Sequence, residues 1–212
     1  GRAESIDLYG LSQGELAGHR EMFIDRAFGG DLLLSIEGEL TRDEYLDRAC
    51  VGGYPEAIAR QVARRRATWF DNYATRIITR DAEAVSHLRQ IAQLPKLLGL
   101  LAAHTASTVS TTTLARESGL AERTLPPYID LLETLYLTHR VPVWSNNLAG
   151  RVAKSSKLAL LDSGLASSLL NVSPTSLAAD VNPDPAGALI ETFVLAELRK
   201  QIPVSDTSPR LF

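Results

Sequence analysis

The stretch from Val109 to Trp144, VSTTTLARESGLAERTLPPYIDLLETLYLTHRVPVW, constrains this chain more than any other. It predicts a helix, a tight turn, a second helix and a strand. Ser110 can cap the first helix, which carries Leu114, Ala115 and Glu117 and stops at Gly119, where glycine tolerates the left-handed turn that ends helices. Leu120 and Ala121 fill the turn. Leu125, Ile129, Leu132 and Leu135 or Tyr136 then recur at a spacing of roughly 3.6 residues. Pro126 and Pro127 cannot sit inside a helix, so the second one must start near Leu125 with Thr124 as its cap. Beyond it the period falls to two, and Val141, Val143 and Trp144 read as a strand. Lys157 to Leu161 reads as a second strand that can pair back with it. Helix-turn-helix followed by a small β-hairpin outlines a winged helix, a module that often places its second helix in a DNA groove.

The flanks are mainly helical too. Glu4 to Tyr9 reads as a short strand. Ser12 with Glu15, and Thr41 with Glu44, have the capping-box spacing that opens a helix. The first of these helices should run to about Phe28, with Leu16, Met22, Phe23 and Ala27 or Phe28 as its apolar side. The second should end before Gly52-Gly53. Pro55 suits the first turn of a long polar helix reaching about Arg80. Trp69 and Tyr73 lie one turn apart on it and should face a core. After Pro95, the run Leu97, Leu98, Leu100 and Leu101 predicts a buried helix. Asp162-Ser163-Gly164 is a turn or cap before a short helix, Leu165 to Leu170. Residues 171–186 read as a loop. Gly187 to Gln201 is an amphipathic helix with Leu189, Phe193 and Val194 in its stripe.

Composition narrows the function. A net charge of −3 and a pI near 5.8 argue against strong nonspecific nucleic-acid binding by the whole chain, though not against a local basic patch. The single cysteine, Cys50, excludes an internal disulfide and a cysteine-rich zinc site, and reads as a small buried hydrophobe. No run approaches the ~20 apolar residues of a membrane span, and no charged-then-apolar leader opens the chain, so a cytoplasmic, prokaryotic protein without a membrane partner is expected. The opening at Gly1, without methionine, points to a processed or excised piece or to a start further upstream. His19, His87, His104 and His139 are scattered and have no metal-ligand spacing. Ser163 lacks the nucleophile-elbow pattern.

Several phrases occur in a telling order: GRAESIDLYGLSQGEL, GGYPEA, WFDNY with RIITRD, TLPPYIDLLETLYL, KLALLDSGLA and GALIETFVLAELRKQ. Together they resemble the C-terminal two thirds of a prokaryotic AAA-type ATPase family whose members end in a segment catalogued as domain of unknown function 4143. The resemblance implies that residues 1–80 hold the last strand of the ATPase core and a helical lid. It places a winged-helix domain at 81–170, and at 171–212 a loop and the first helix of a truncated restriction-endonuclease-like PD-(D/E)XK unit. ATP and magnesium are implied for the parent protein. This chain has no G-x-x-x-x-G-K-[ST] to wrap a triphosphate, and so no cofactor of its own is expected.

The function expected is therefore that of the non-catalytic C-terminal region of an AAA-type ATPase. It would contact the missing ATPase core, copies of itself, or duplex DNA. The competing reading is a free-standing winged-helix transcriptional regulator, and a third is the remnant of a metal-dependent nuclease. Arg60, Arg64, Arg65 and Arg66 are candidates for nucleotide or intersubunit contact, or else a solvated face paired with local acids. Arg116, Arg123, Arg151, Lys154 and Lys157 are the DNA-contact candidates. Asp162 and Glu191 are candidate metal ligands, read otherwise as a cap and as an acid favoured by a helix N-terminus. Glu197 and Lys200 read as a surface pair.

Overall fold

The computed structural model describes residues 7–31, 40–82, 88, 90–144, 156–179 and 184–212. Two capping boxes open the chain. Ser12 Oγ accepts from Glu15 N while Ser12 N donates to the Glu15 carboxylate, starting α1, Gln13–Leu16. Thr41 and Glu44 do the same for α3, Arg42–Val51. The helix expected from Ser12 to Phe28 is instead two. Gly18 turns left-handed (φ 77°), the Glu21 carboxylate reaches back to Gly14 N (2.6 Å), and α2, Phe23–Gly29, follows. Only Ile24 of α2 is buried; Met22, Phe23 and Phe28 face solvent. The long polar helix also breaks. Pro55 opens the short α4, Pro55–Ile58; a new helix, α5, Ala63–Arg76, then continues as a π-helical turn, Ile77–Asp81. Residues 7–9 are not strand, and 1–6 lie outside the described residues.

The central stretch folds in the expected order: α6, Leu94–Ala103, with Pro95 in its first turn; α7, Thr111–Ser118; α8, Leu125–Thr134. Ser110 Oγ caps α7 through Thr113 N, and Gly119 ends it at φ 82°. Thr124 holds the expected N-cap position before Leu125 but makes no side-chain cap bond. It closes a 3₁₀ turn, Glu122–Thr124, and its hydroxyl donates back to Ala121 O (2.8 Å). The first strand lies three residues earlier than its valines suggest. β1 is Thr138–Val141, antiparallel to β2, Lys157–Leu160, with Thr138 opposite Leu160 and Val141 opposite Lys157. Its inward residues include Thr138 and His139, polar types that hide the alternation from sequence.

α9, Ser163–Leu169, is the hub of the molecule. It packs on α3, α5, α6 and β2, and on α11, Asp184–Gln201. Ser163, Gly164, Ala166 and Ser167 are all buried, and their small side chains let several helices approach one axis. A Cβ on Gly164 would lie 2.5 Å from Val51 O and 2.8 Å from Phe70 Cζ, so α3 and α5 seat directly on its backbone. Residues 171–186 are not all loop, because α10, Pro174–Ala179, lies within them and packs on α3. α11 buries Leu189, Thr192, Phe193, Leu195 and Ala196; it packs on α3, α9 and α10, and its Leu195 joins Ala106, Val141 and Ala159 in a second apolar cluster, whereas Val194 is exposed. Its apolar side is therefore covered within the chain. One buried apolar cluster runs from Leu46 through Phe70, Leu97, Leu132 and Leu165 to Phe193, drawing on all three segments expected from sequence. Among the described residues no helix is long and apolar enough to cross a membrane.

Candidate functional site

Where α3 gives way to α4, the backbone turns at Gly52 with φ 73° and ψ −163°, a region open to glycine alone. The turn wraps Asp162, the residue that caps α9. Gly53 N donates to Asp162 Oδ2 (2.7 Å) and Leu165 N to Oδ1 (2.9 Å). A Cβ on Gly52 would sit 2.3 Å from that carboxylate. Burial pushes the Asp162 carboxyl up from its ordinary range, opposed by the Gly53 and Leu165 N–H groups and by the charge of Lys200. Lys200 Nζ donates to Leu11 O (2.9 Å) and to Glu197 Oε1 (2.6 Å), and the other Glu197 oxygen accepts from Gln13 N (2.8 Å). These two side chains, expected on the surface, are only 9% and 13% exposed. Arg48 reaches Gln13 Oε1 (3.0 Å), and Leu11 N donates to Gly53 O (2.7 Å). The network ties the N-terminal loop, the Gly-Gly turn, α9 and α11 together with matched donors and acceptors. Asp162 is thus occupied as a cap. The diglycine, Asp162 and Gly164 all lie in conspicuous short phrases of the sequence, but the Lys200–Glu197 lock depends on a distant loop and has no local signal.

The arginines at and just before the start of α5 divide by surroundings. Arg60 pairs with Glu56 (2.8 Å), donates to the Glu56 carbonyl, and lies 5.8 Å over Trp69. Trp69 stacks on Tyr73 (5.1 Å), and Tyr54 packs beside both. Tyr73 Oη donates to Tyr54 Oη (3.1 Å), and burial pushes both phenols up. Arg66 donates to Arg60 O (3.3 Å). Arg64 and Arg66 line a pocket of about 250 Å³ with Cys50, Phe70, Ser167 and Ser168; Arg65 is exposed and does not.

Among the described residues, the face expected to meet DNA carries few free cations. Arg116 and Arg123 are exposed, Arg116 beside Glu117 (3.4 Å). Lys157 pairs with Glu191 (2.5 Å), which assigns both candidates to an ion pair between β2 and α11. Arg151 and Lys154 lie outside the described residues, as does His87. The outward side of α8 shows Pro126, Pro127 and Asp130. Arg140, beside it, is taken by Asp130 (2.7 Å) and by Glu133. Glu122 accepts from Thr111 (3.2 Å) and Thr112 (2.8 Å), fixing an acid near the start of α8.

Two histidines have defined settings. His104 Nε2 lies 3.3 Å from Glu117 Oε2, and this bond holds the Glu117 carboxyl below its usual range. His139 is buried with neither ring nitrogen bonded, and burial, then the charge of Arg199, push it down to about 4. A separate cleft of about 660 Å³ is lined by Ser12, Glu15, His19, Arg20, Glu21 and Lys200 among others. Among the described residues no group of three or more His, Cys, Asp or Glu is gathered to hold a metal.

Comparison with known proteins gives a family without an assigned activity. Residues 42–176 match a family described as a domain of unknown function, DUF8612, and the chain belongs to it. Similar relatives include uncharacterized protein Mb2031c of Mycobacterium bovis and uncharacterized protein Rv2008c of Mycobacterium tuberculosis. Each is 29% identical over 198 residues, covering 92% of this chain and 42% of the relative. The chain thus spans about two fifths of the length of these curated relatives. No solved structure matches it.

Proposed function

We propose that this chain is the non-catalytic C-terminal region of an AAA-type ATPase and works as a protein-interaction module. In this reading the longer protein supplies the P-loop, ATP and magnesium, and these residues dock on its ATPase core. The observation that carries the reading is the apolar side of residues 16–28. Leu16, Met22, Phe23 and Phe28 are 42%, 45%, 51% and 67% exposed, although the segment is anchored just before it and within it. Glu197 holds Gln13 N, Gln201 holds Ile24 N (3.4 Å), and Asp25 accepts from Ser205 Oγ. A fixed segment that turns four large apolar side chains outward supports a contact with another protein surface. The segment also belongs to the lid that would adjoin the core.

DNA contact is the weaker reading. A recognition helix needs donors toward phosphate and base edges, and α8 offers two prolines and an acid there. The experiment is size-exclusion chromatography with light scattering, mixing this chain with the P-loop segment of the longer protein. A one-to-one complex, lost on Phe23→Asp with Phe28→Asp, is expected. Failure to associate, together with salt-dependent duplex binding weakened by Arg116→Ala and Arg123→Ala, would replace it with the regulator reading.

A further inference from the structure

We propose that the pocket between α5 and α9 binds a small phosphate-class oxyanion, held by Arg64, Arg66 and the Ser168 hydroxyl. The inference is independent of any docking by residues 16–28. The lining has two guanidinium groups and no carboxylate; its other polar members are Ser167, Asn171, Ser173 and the Cys50 thiol. Among the described residues neither Arg64 nor Arg66 pairs with an acid, in contrast to Arg60, which precedes the helix and pairs with Glu56. Their position sharpens the point. α5 starts at Ala63 with no side-chain cap and no acid in its first turn. Three successive arginines, Arg64 to Arg66, thus stand at the positive end of the helix dipole, where cations are disfavoured and an anion is stabilised.

The opposite wall supplies a second, separate sign. Ser168 Oγ is buried and has no hydrogen-bond partner. Its neighbour Ser167 is satisfied, donating to Val172 O (3.1 Å). A buried hydroxyl left unpaired costs free energy that a bound acceptor recovers. A tetrahedral oxyanion presents acceptors on every side, so it can take a guanidinium fork from α5 and a hydroxyl from α9 together. At about 250 Å³ the space suits a small anion or a single phosphate group rather than a bulky ligand. Asp47, one turn before Cys50, acts on the thiol electrostatically but does not line the pocket.

Cys50 is the only cysteine of the chain, and its place in the lining makes it a reporter. The experiment follows the rate of iodoacetamide alkylation of Cys50 and the thermal midpoint. Inorganic phosphate or glycerol phosphate is titrated at constant ionic strength, with chloride as the control. Phosphate is expected to slow alkylation saturably and raise the midpoint. Protection by inorganic phosphate alone assigns the site to the free anion; protection by both admits esters. Arg64→Ala and Arg66→Ala should each weaken both readouts about tenfold, and Ser168→Ala by less. Arg65→Ala, in the same run but outside the pocket, should change neither. Equal rates in phosphate and chloride, or equal losses for Arg65→Ala and Arg64→Ala, would overturn the proposal. Circular dichroism of each variant confirms that it is folded.

Discussion

Replacing Asp162 with alanine removes the acceptor of two buried backbone N–H groups, Gly53 N and Leu165 N. Hydrogen bonds to a charged group contribute about 1.5–3 kcal/mol each, so their loss alone would cost roughly 3–6 kcal/mol. The substitution also relieves the desolvation of a fully buried carboxylate, whose raised pKa shows that burial outweighs its partners. The net loss should then be about 2–4 kcal/mol, a fall in Tm of roughly 5–15 °C for a chain of this size. Gly52→Ala tests the same contact from the other side. It forces a side chain into a glycine-only conformation, at about 1–3 kcal/mol, and drives a Cβ to within 2.3 Å of Asp162 Oδ1. With Asp162 already alanine the clash is gone and only the backbone strain remains. Urea denaturation of the two single variants and the double should show a loss smaller than their sum. A loss under about 1 kcal/mol for Asp162→Ala, or strict additivity, would refute the cap-and-turn reasoning.

Three further outcomes follow from the same structure. His139 is held near 4 when folded against 6.5 when free, so the unfolded chain takes up the proton first. Its contribution is complete above about pH 6.5, declines as pH falls toward 4, and amounts to about 3 kcal/mol at most; pH-dependent urea melts should flatten in this window in His139→Leu. Lys200→Met leaves Glu197 and Leu11 O short of a donor in a nearly buried site and should cost about 3 kcal/mol by the same melts. Arg140→Ala, on a half-exposed pair, should cost under about 1 kcal/mol, and a larger loss would mean that α8 and β1 depend on that ion pair.

What was legible in the sequence is what neighbours in sequence decide. Ser12 with Glu15, Thr41 with Glu44, Ser110 with Gly119, and Asp162 ahead of Ser163 each mark a helix boundary through bonds spanning three or four residues, and each lies where its spacing puts it. The breaks were less visible. The turn at Gly18 is braced by Glu21 reaching back to Gly14, and the pattern Leu16, Met22, Phe23, Phe28 looked like one apolar stripe because an exposed and a buried apolar side chain read alike in sequence. β1 was displaced because its buried residues include His139 and Thr138. The pocket of α5 was half legible: the arginine run was plain, but its division into Arg60, paired with Glu56, and Arg64 and Arg66, lining one pocket with Ser168, arises only when α9 packs against α5.

Whether these residues recognise rather than react is tested most directly by ATP turnover. The purified chain is measured alone, then mixed with the P-loop segment proposed for the longer protein. The account predicts no hydrolysis by the chain alone and turnover only in the mixture, altered when Phe23 and Phe28 are both aspartate. Hydrolysis by the isolated chain, copurifying with it through successive columns, would contradict the account.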